Sequence, residues 1–397
     1  MSKSARHLQP HDLLGIARLG VAGTAKITEL VEALHAAIAG VPTTAPSLPA
    51  GGTRGLTGLV YASVRGATQI TGLGLDAALG WLAPRLIGQA PSSDARCAAV
   101  AALNGVLGDH LAASRNPLAI RMRLRREGRP LALRRDSLTA AFPDASGHVV
   151  VLAHGLCMGD RQWLRNGHDH GAALARDLGC SVLYLNYNSG LPIAVNGREF
   201  ARLLESLAKA WPVPIERLSI VGHSMGGLLA RSACLHASRS GHAWLRRLDA
   251  MVFLGTPHRG APLERGGHWF EQLLGVSAYS APFARLGEIR SSGITDLRHG
   301  RIDDRPPIEP DEERRSAPPR SLAIAATLGR RDGDLKDRLL GDGLVTLASA
   351  LGRATRTERA LFPRGARSVQ YEAGHLALLE RPAVYRQIRD WLALAPG

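Results

Sequence analysis

The sequence predicts a mostly parallel, doubly wound α/β sheet, with an antiparallel hairpin at its edge and a helical region in front of it. Three observations predict this. From about residue 118 to the end, short apolar runs alternate with segments of helical period. Those runs are continuous rather than alternating, which is the pattern of strands buried on both faces. Just ahead of them, Pro117–Arg135 alternates apolar and polar residues with period two.

Residues 1–39 carry Leu13, Leu14, Ile16, Leu19, Ile27, Leu30, Val31 and Leu34 on a roughly helical spacing. GVPTTAPSLPAGGTR, residues 40–54, reads as a linker because Pro and Gly punctuate it. Two or more small-residue-rich helices are expected between Gly55 and Leu111. Residues 1–115 are therefore expected as a helical N-terminal appendage and residues 116–397 as the sheet domain. A helical hairpin packed on that domain is one reading of the appendage, and a lipid-facing cap is the other. In the edge hairpin, Met122 and Leu124 alternate with Arg121, Arg123 and Arg125, and Glu127-Gly128 sits at the turn.

The expected strands then follow at His148–Leu156, Ser181–Asn188, Leu218–Ser224, Leu248–Pro257, Arg320–Gly329 and Arg367–His375. The expected helices lie at His170–Leu178, Arg198–Ala210, Met225–Ala237 and Ala383–Leu394. One insertion, residues 260–319, breaks this rhythm. Its first half holds Trp269, Phe270, Leu273, Leu274, Tyr279 and Phe283, as a lid over a pocket would. Its second half, DDRPPIEPDEERRSAPPR, reads as an exposed loop.

Composition narrows the function classes. Hydrophobic residues make up 45% and charged residues 21% of 397, which excludes wholesale disorder. The net charge of +15 comes almost wholly from arginine, since the only lysines are Lys3, Lys26, Lys209 and Lys336. The arginines are dispersed and aromatics are only 5%, so nucleic-acid stacking platforms are not expected. An anionic membrane surface suits the same charge. Cys97, Cys157, Cys180 and Cys234 form no CxxC pair, which argues against a disulfide framework or a structural zinc site. The first residues lack a secretory apolar core, so a cytoplasmic location is expected, with peripheral membrane association through the N-terminal helices. Leu56–Ala83 contains Arg65, Thr68, Gln69, Thr71 and Asp76 and is too polar to span a bilayer.

The chemistry centres on Gly222-His223-Ser224-Met225-Gly226. A buried strand runs into it and a helix leaves it, so Ser224 sits on a sharp strand-to-helix turn. The glycines fit where neighbouring backbone passes too close for a side chain. A serine hydroxyl needs a base at neutral pH. His375, after the last strand, is placed for that task, whereas His168 and His170 read as a solvated surface cluster. An acid that orients the imidazole should lie between residues 327 and 375. Asp342 is favoured because Gly341-Asp342-Gly343-Leu344-Val345 leads into an apolar stretch. Asp334 is the main alternative, with Asp332 and Asp337 behind it. The oxyanion of an acyl-transfer intermediate needs preorganised N–H donors. Met225, at the helix start, and Leu156, in the loop after the first central strand, are the expected pair.

These motifs carry a resemblance. His154-Gly155, Tyr187-Asn188-Ser189-Gly190 with Asn196-Gly197, Gly222–Gly227, Leu254–Gly260, Asp342–Val345 and Gly374-His375 together resemble the lipase branch of the α/β-hydrolases. They are similar to bacterial triacylglycerol lipases and to the hydrolase domain of GPI inositol-deacylases. The resemblance covers residues 118–397 and implies a serine ester hydrolase acting on acyl or lipid esters without a cofactor. Some such lipases hold structural calcium, but no acidic pair here can be assigned to it. An acyltransferase using the same triad, or a lipid-surface binding protein with an idle site, are the alternative readings. Acyl chain length and head group are not legible in the residues.

Overall fold

The computed structural model describes residues 12, 14–23, 94–261, 291–305, 320–331, 341–353 and 360–394. The expected linker, the expected helices between residues 55 and 93, the aromatic stretch Trp269–Phe283, and Asp332, Asp334 and Asp337 lie outside the described residues.

The chain forms two units. In the smaller, residues 14–23 are helical, and Asp12 holds Arg96 through two hydrogen bonds of 2.5 and 2.6 Å. There, too, Arg18 donates to the Arg115 carbonyl and Asn116 to that of Gly15.

The larger unit is built on eight strands: β1 (Arg123–Arg126), β2 (Arg129–Pro130), β3 (His148–Ala153), β4 (Ser181–Asn186), β5 (Arg217–His223), β6 (Leu248–Leu254), β7 (Arg320–Ala326) and β8 (Arg367–Gln370). Their order across the sheet is β2-β1-β4-β3-β5-β6-β7-β8. Only β1 pairs antiparallel, with β2 on one side and β4 on the other. All other pairs are parallel. Strand order reverses around β3, which opens a crevice at the carboxyl ends of β3 and β5.

The hairpin forms as its alternation predicts. Glu127 and Gly128 have φ of 51° and 72°, the two left-handed residues of a type I′ turn. Met122 and Leu124 are buried while Arg121 and Arg123 are exposed. The two-residue β2 carries Arg129 and Pro130 at the sheet edge.

Helices cover both faces. On one face lie α3 (His170–Leu178) and α8 (Pro382–Ala393); on the other lie α4 (Ile193–Ala210) and α5 (Met225–Ser240). Four further helices are α1 (Asp94–Ala113), α2 (Arg135–Ala141), α6 (Ser292–His299) and α7 (Leu347–Ala350). The residues of β3, β5, β6 and β7 are buried almost end to end, as continuous apolar runs require. Phe200 of α4 is wholly buried in that core. Phe200→Ala is expected to cost about 3–5 kcal/mol through lost transfer energy and the cavity left behind. Chemical denaturation checks this, and a loss under 1 kcal/mol would mean that the site collapses to fill the space.

Several elements differ from the sequence reading. The strands stop one to five residues before their apolar runs end, because those runs continue into the turns of the site. Gly255, at φ 60°, ends the ladder after Leu254, and the loop after Ala153 turns at Gly155. Helix α2 was not expected: it buries only Leu138, so no apolar stripe marks it. Within the expected insertion, Ser291 caps α6 by accepting from Ile294 N, and Ile294, Leu297 and Ile302 are buried. Cys97–Ala112 of α1, read as part of the front region, packs in the same unit as the sheet. Among the described residues no helix is long and apolar enough to cross a membrane, and no cluster of potential metal ligands is present.

Candidate active site

The turn from β5 to α5 places Ser224 at φ 53° and ψ −122°. This is costly backbone for a non-glycine residue and is held only where the surroundings demand it. Here they do. Ser224 N donates to the Leu254 carbonyl at 2.8 Å. On Gly226 a Cβ would sit 2.6 Å from the His154 carbonyl oxygen, and on Gly222 one would sit 2.6 Å from Gly227 Cα. Only glycine lets β3, β5 and α5 close around the serine.

His375 opens a short 3₁₀ turn, His375–Leu379, beyond β8. Its Nδ1 lies 2.7 Å from Asp342 Oδ2, and both side chains are buried. Asp342 is itself fixed: Oδ1 accepts from Leu344 N at 2.9 Å and from Val345 N at 2.8 Å. A second link ties the two loops, since His375 N donates to the Asp342 carbonyl. A carboxylate so placed accepts only, so the imidazole proton sits on Nδ1. Nε2 then keeps a free lone pair, and it is buried with no hydrogen-bond partner. The ring lies against the end of β6, where a Cβ on Gly255 would sit 2.9 Å from His375 Cε1. Ser224 and His375 thus flank the same strand end, the serine through Leu254 and the imidazole beside Gly255.

The loop after β3 approaches the serine from the other side. A Cβ on Gly155 would lie 3.1 Å from Ser224 Cβ. Leu156 and Met225 are both fully buried beside this approach. Met225 N belongs to the first turn of α5, where amides have no intrahelical acceptor. Cys157, next to Leu156, is no rival to the serine: burial pushes its thiol up to about 12.

Three histidines gain roles that the sequence did not reveal. His154 stacks on Tyr187, with ring centres 4.3 Å apart. Its Nε2 accepts from Tyr187 N, and its Nδ1 meets the Gly155 carbonyl at 2.8 Å. His223 lies 4.7 Å from His375 ring to ring, and its Nε2 faces the His375 carbonyl at 3.5 Å. His170 is fully buried, which corrects the reading of a solvated cluster. Its Nε2 donates to the Leu378 carbonyl at 2.9 Å, supporting the turn that carries His375, and its Nδ1 accepts from His168 Nε2 at 2.8 Å. The contacts to Tyr187, His375 and Leu378 span 33, 152 and 208 residues, so no local pattern announces them; the apolar run after His170 is the one hint of burial.

Burial lowers both His154 and His170 to about 4, so both stay neutral in the folded protein. Unfolded, they titrate near 6.5. Between pH 6.5 and 4 the unfolded chain therefore binds more protons. Stability is full above this window and falls as pH drops through it, by about 1.4 kcal/mol per pH unit per histidine. The urea midpoint is expected to decline between pH 7 and 5, and His170→Gln to flatten the decline. An unchanged midpoint across that range would show equal proton uptake by the two states.

Residues 144–302 match the PGAP1-like alpha/beta domain family. No curated protein sequence matches the chain. Among solved structures, the mature lipase BlEst2 of Bacillus licheniformis is 16% identical with a TM-score of 0.43, over 62% of this chain and 91% of that one. The Pyrococcus furiosus esterase Pf2001 is 14% identical with a TM-score of 0.38, over 64% and 83%. The strand order, the antiparallel strands at one edge and the flanking helices make this an α/β-hydrolase fold.

Proposed function

We propose that the chain is a serine carboxylic-ester hydrolase acting on acyl or lipid esters, with Ser224 as nucleophile, His375 as general base and acid, and Asp342 as the group that orients His375. One observation carries this reading: the 2.7 Å bond from His375 Nδ1 to Asp342 leaves the Nε2 lone pair free on the rim that presents the strained Ser224.

The reaction follows from these positions. Ser224 Oγ attacks the ester carbonyl carbon while His375 Nε2 takes its proton. The imidazolium that forms is stabilised by Asp342. The former carbonyl oxygen, now negative, receives the Leu156 and Met225 N–H groups, the second aided by the positive end of α5. When the tetrahedral intermediate collapses, the carbon–oxygen bond to the alcohol breaks and Nε2–H protonates the leaving oxygen. Water then repeats the sequence on the acyl-serine, releasing the acid and restoring the hydroxyl. No step needs a metal or cofactor.

A fluorophosphonate probe tests the reading. Intact mass is expected to show one adduct, which peptide mapping places on the fragment holding Ser224, with ester hydrolysis lost in step. Hydrolysis that survives full labelling, or an adduct elsewhere, overturns it. A series of p-nitrophenyl esters from short to long acyl chains then sets the substrate range.

A further inference from the structure

The motif Tyr187-Asn188-Ser189-Gly190 takes no step in this reaction, yet it is buried beside the loop that offers the Leu156 amide. The peptide joining Gly155 to Leu156 is held by its carbonyl. His154 Nδ1 donates to that oxygen at 2.8 Å, and Met158 N does so at 3.4 Å. His154 is in turn fixed by the stacked Tyr187, whose hydroxyl donates to the His154 carbonyl at 2.9 Å. An amide's N–H points opposite to its C=O, so the Leu156 N–H is turned away from these contacts.

The far end of the loop is held as firmly. Cys157 stands at φ 59°, a conformation that costs a non-glycine residue about 1–3 kcal/mol unless it is imposed. Its N–H donates to Ser189 Oγ at 3.0 Å, and its thiol to the Ala102 carbonyl at 3.8 Å. Helix α1 runs directly behind it. A Cβ on Gly105 would overlap Cys157 Sγ and lie 2.9 Å from Cys157 Cα. The helix is tied down here by Asn188 Nδ2 donating to the Gly108 carbonyl at 2.9 Å and by Ser291 Oγ donating to that of Gly105 at 2.7 Å. Helix α1 lies ahead of every strand of the sheet, so a segment outside the doubly wound pattern backs the loop.

We propose that Ser189 and Gly105 are positioning residues that hold Cys157 in its strained conformation from two sides and so aim the Leu156 amide at the oxyanion. This rests on the Ser224 reading. Neither residue touches substrate; their effect is carried entirely by one peptide plane. A donor missing altogether costs about 10²–10³ in rate, and one turned aside costs part of that.

The experiment compares wild type with Ser189→Ala, Ser189→Thr, Gly105→Ala and the double variant Gly105→Ala/Cys157→Ala, on p-nitrophenyl butyrate. For Ser189→Ala, kcat is expected to fall about 10–100-fold with KM within about twofold. Affinity for an alkylboronic acid, which forms a tetrahedral adduct with the serine, should fall with kcat. Ser189→Thr keeps the acceptor oxygen and should recover most of the rate. Gly105→Ala should lower kcat similarly, and removing the Cys157 sulfur in the double variant should restore part of it, since the closest overlap, with Sγ, is then relieved while the approach to Cys157 Cα remains. The Ser189 pair carries the test if Gly105→Ala does not fold. An unchanged kcat in Ser189→Ala, a change confined to KM, or a loss that threonine does not recover overturns the inference. Loss of activity in Ser224→Ala with none in Ser189→Ala removes this inference alone; wild type no more active than Ser224→Ala removes the parent reading and this one with it.

Discussion

Ser224→Ala is expected to lower kcat for p-nitrophenyl esters by about 10⁵–10⁶-fold, with the fold intact. The substitution deletes one oxygen and nothing else. The Cβ that meets the Gly155 approach remains, as does the amide that donates to Leu254. Alanine also bears the turn's positive φ no worse than serine, so the strain at φ 53° is unchanged. Without the hydroxyl, His375 Nε2 has no proton to take, and only binding and oxyanion stabilisation are left to act on water, worth roughly 10³–10⁴ over the uncatalysed rate. Steady-state kinetics on a preparation freed of host esterases, with circular dichroism melting in parallel, makes the comparison. Activity within tenfold of wild type, from a folded variant, removes Ser224 from the reaction.

Asp342→Asn is expected to cost about 10³–10⁴ in kcat with little change in KM. The surroundings dictate which way the amide must face. Two backbone amides, Leu344 N and Val345 N, point at the Oδ1 position and require an acceptor there. The asparagine oxygen satisfies both, which leaves its NH₂ facing His375 Nδ1, 2.7 Å away in the native protein. An NH₂ group donates, so Nδ1 must become the acceptor and the ring proton moves to Nε2. The atom that should receive the serine proton is then already occupied. Nitrogen-15 NMR of His375 reports the tautomer directly, alongside the kinetics. A native Nδ1–H tautomer, or a loss below tenfold, would mean that Asp342 does not set the imidazole.

Much of this site is legible in the residues because its signals are local. Ser224 announces itself by glycines two residues to either side, after an apolar run and before a helix. Asp342 and His375 each close a strand–loop passage at the same rim, and the glycines around Asp342 mark a turn. What cannot be read is what packs against what across the sequence. His154 finds Tyr187 and Cys157 finds Ser189 over some thirty residues, and Ser291 finds Gly105 over 186. Nothing in either local segment encodes its partner. Helix α1 reads from sequence as part of the front region for the same reason: its residues are small and weakly patterned, and only the close approach at Gly105 and Gly108 explains why. The hairpin, by contrast, was readable to its turn residues, because alternation and two consecutive left-handed positions are properties of the segment alone.

The same hairpin bears on how the protein behaves in crowded solution. A sheet rim with open amides and carbonyls is a template on which another chain can build. Here that rim ends in two residues, an arginine whose charge repels its counterpart on a second molecule and a proline with no N–H to donate. Colliding molecules find too little ladder to extend, so this short, charged edge disfavours edge-to-edge aggregation.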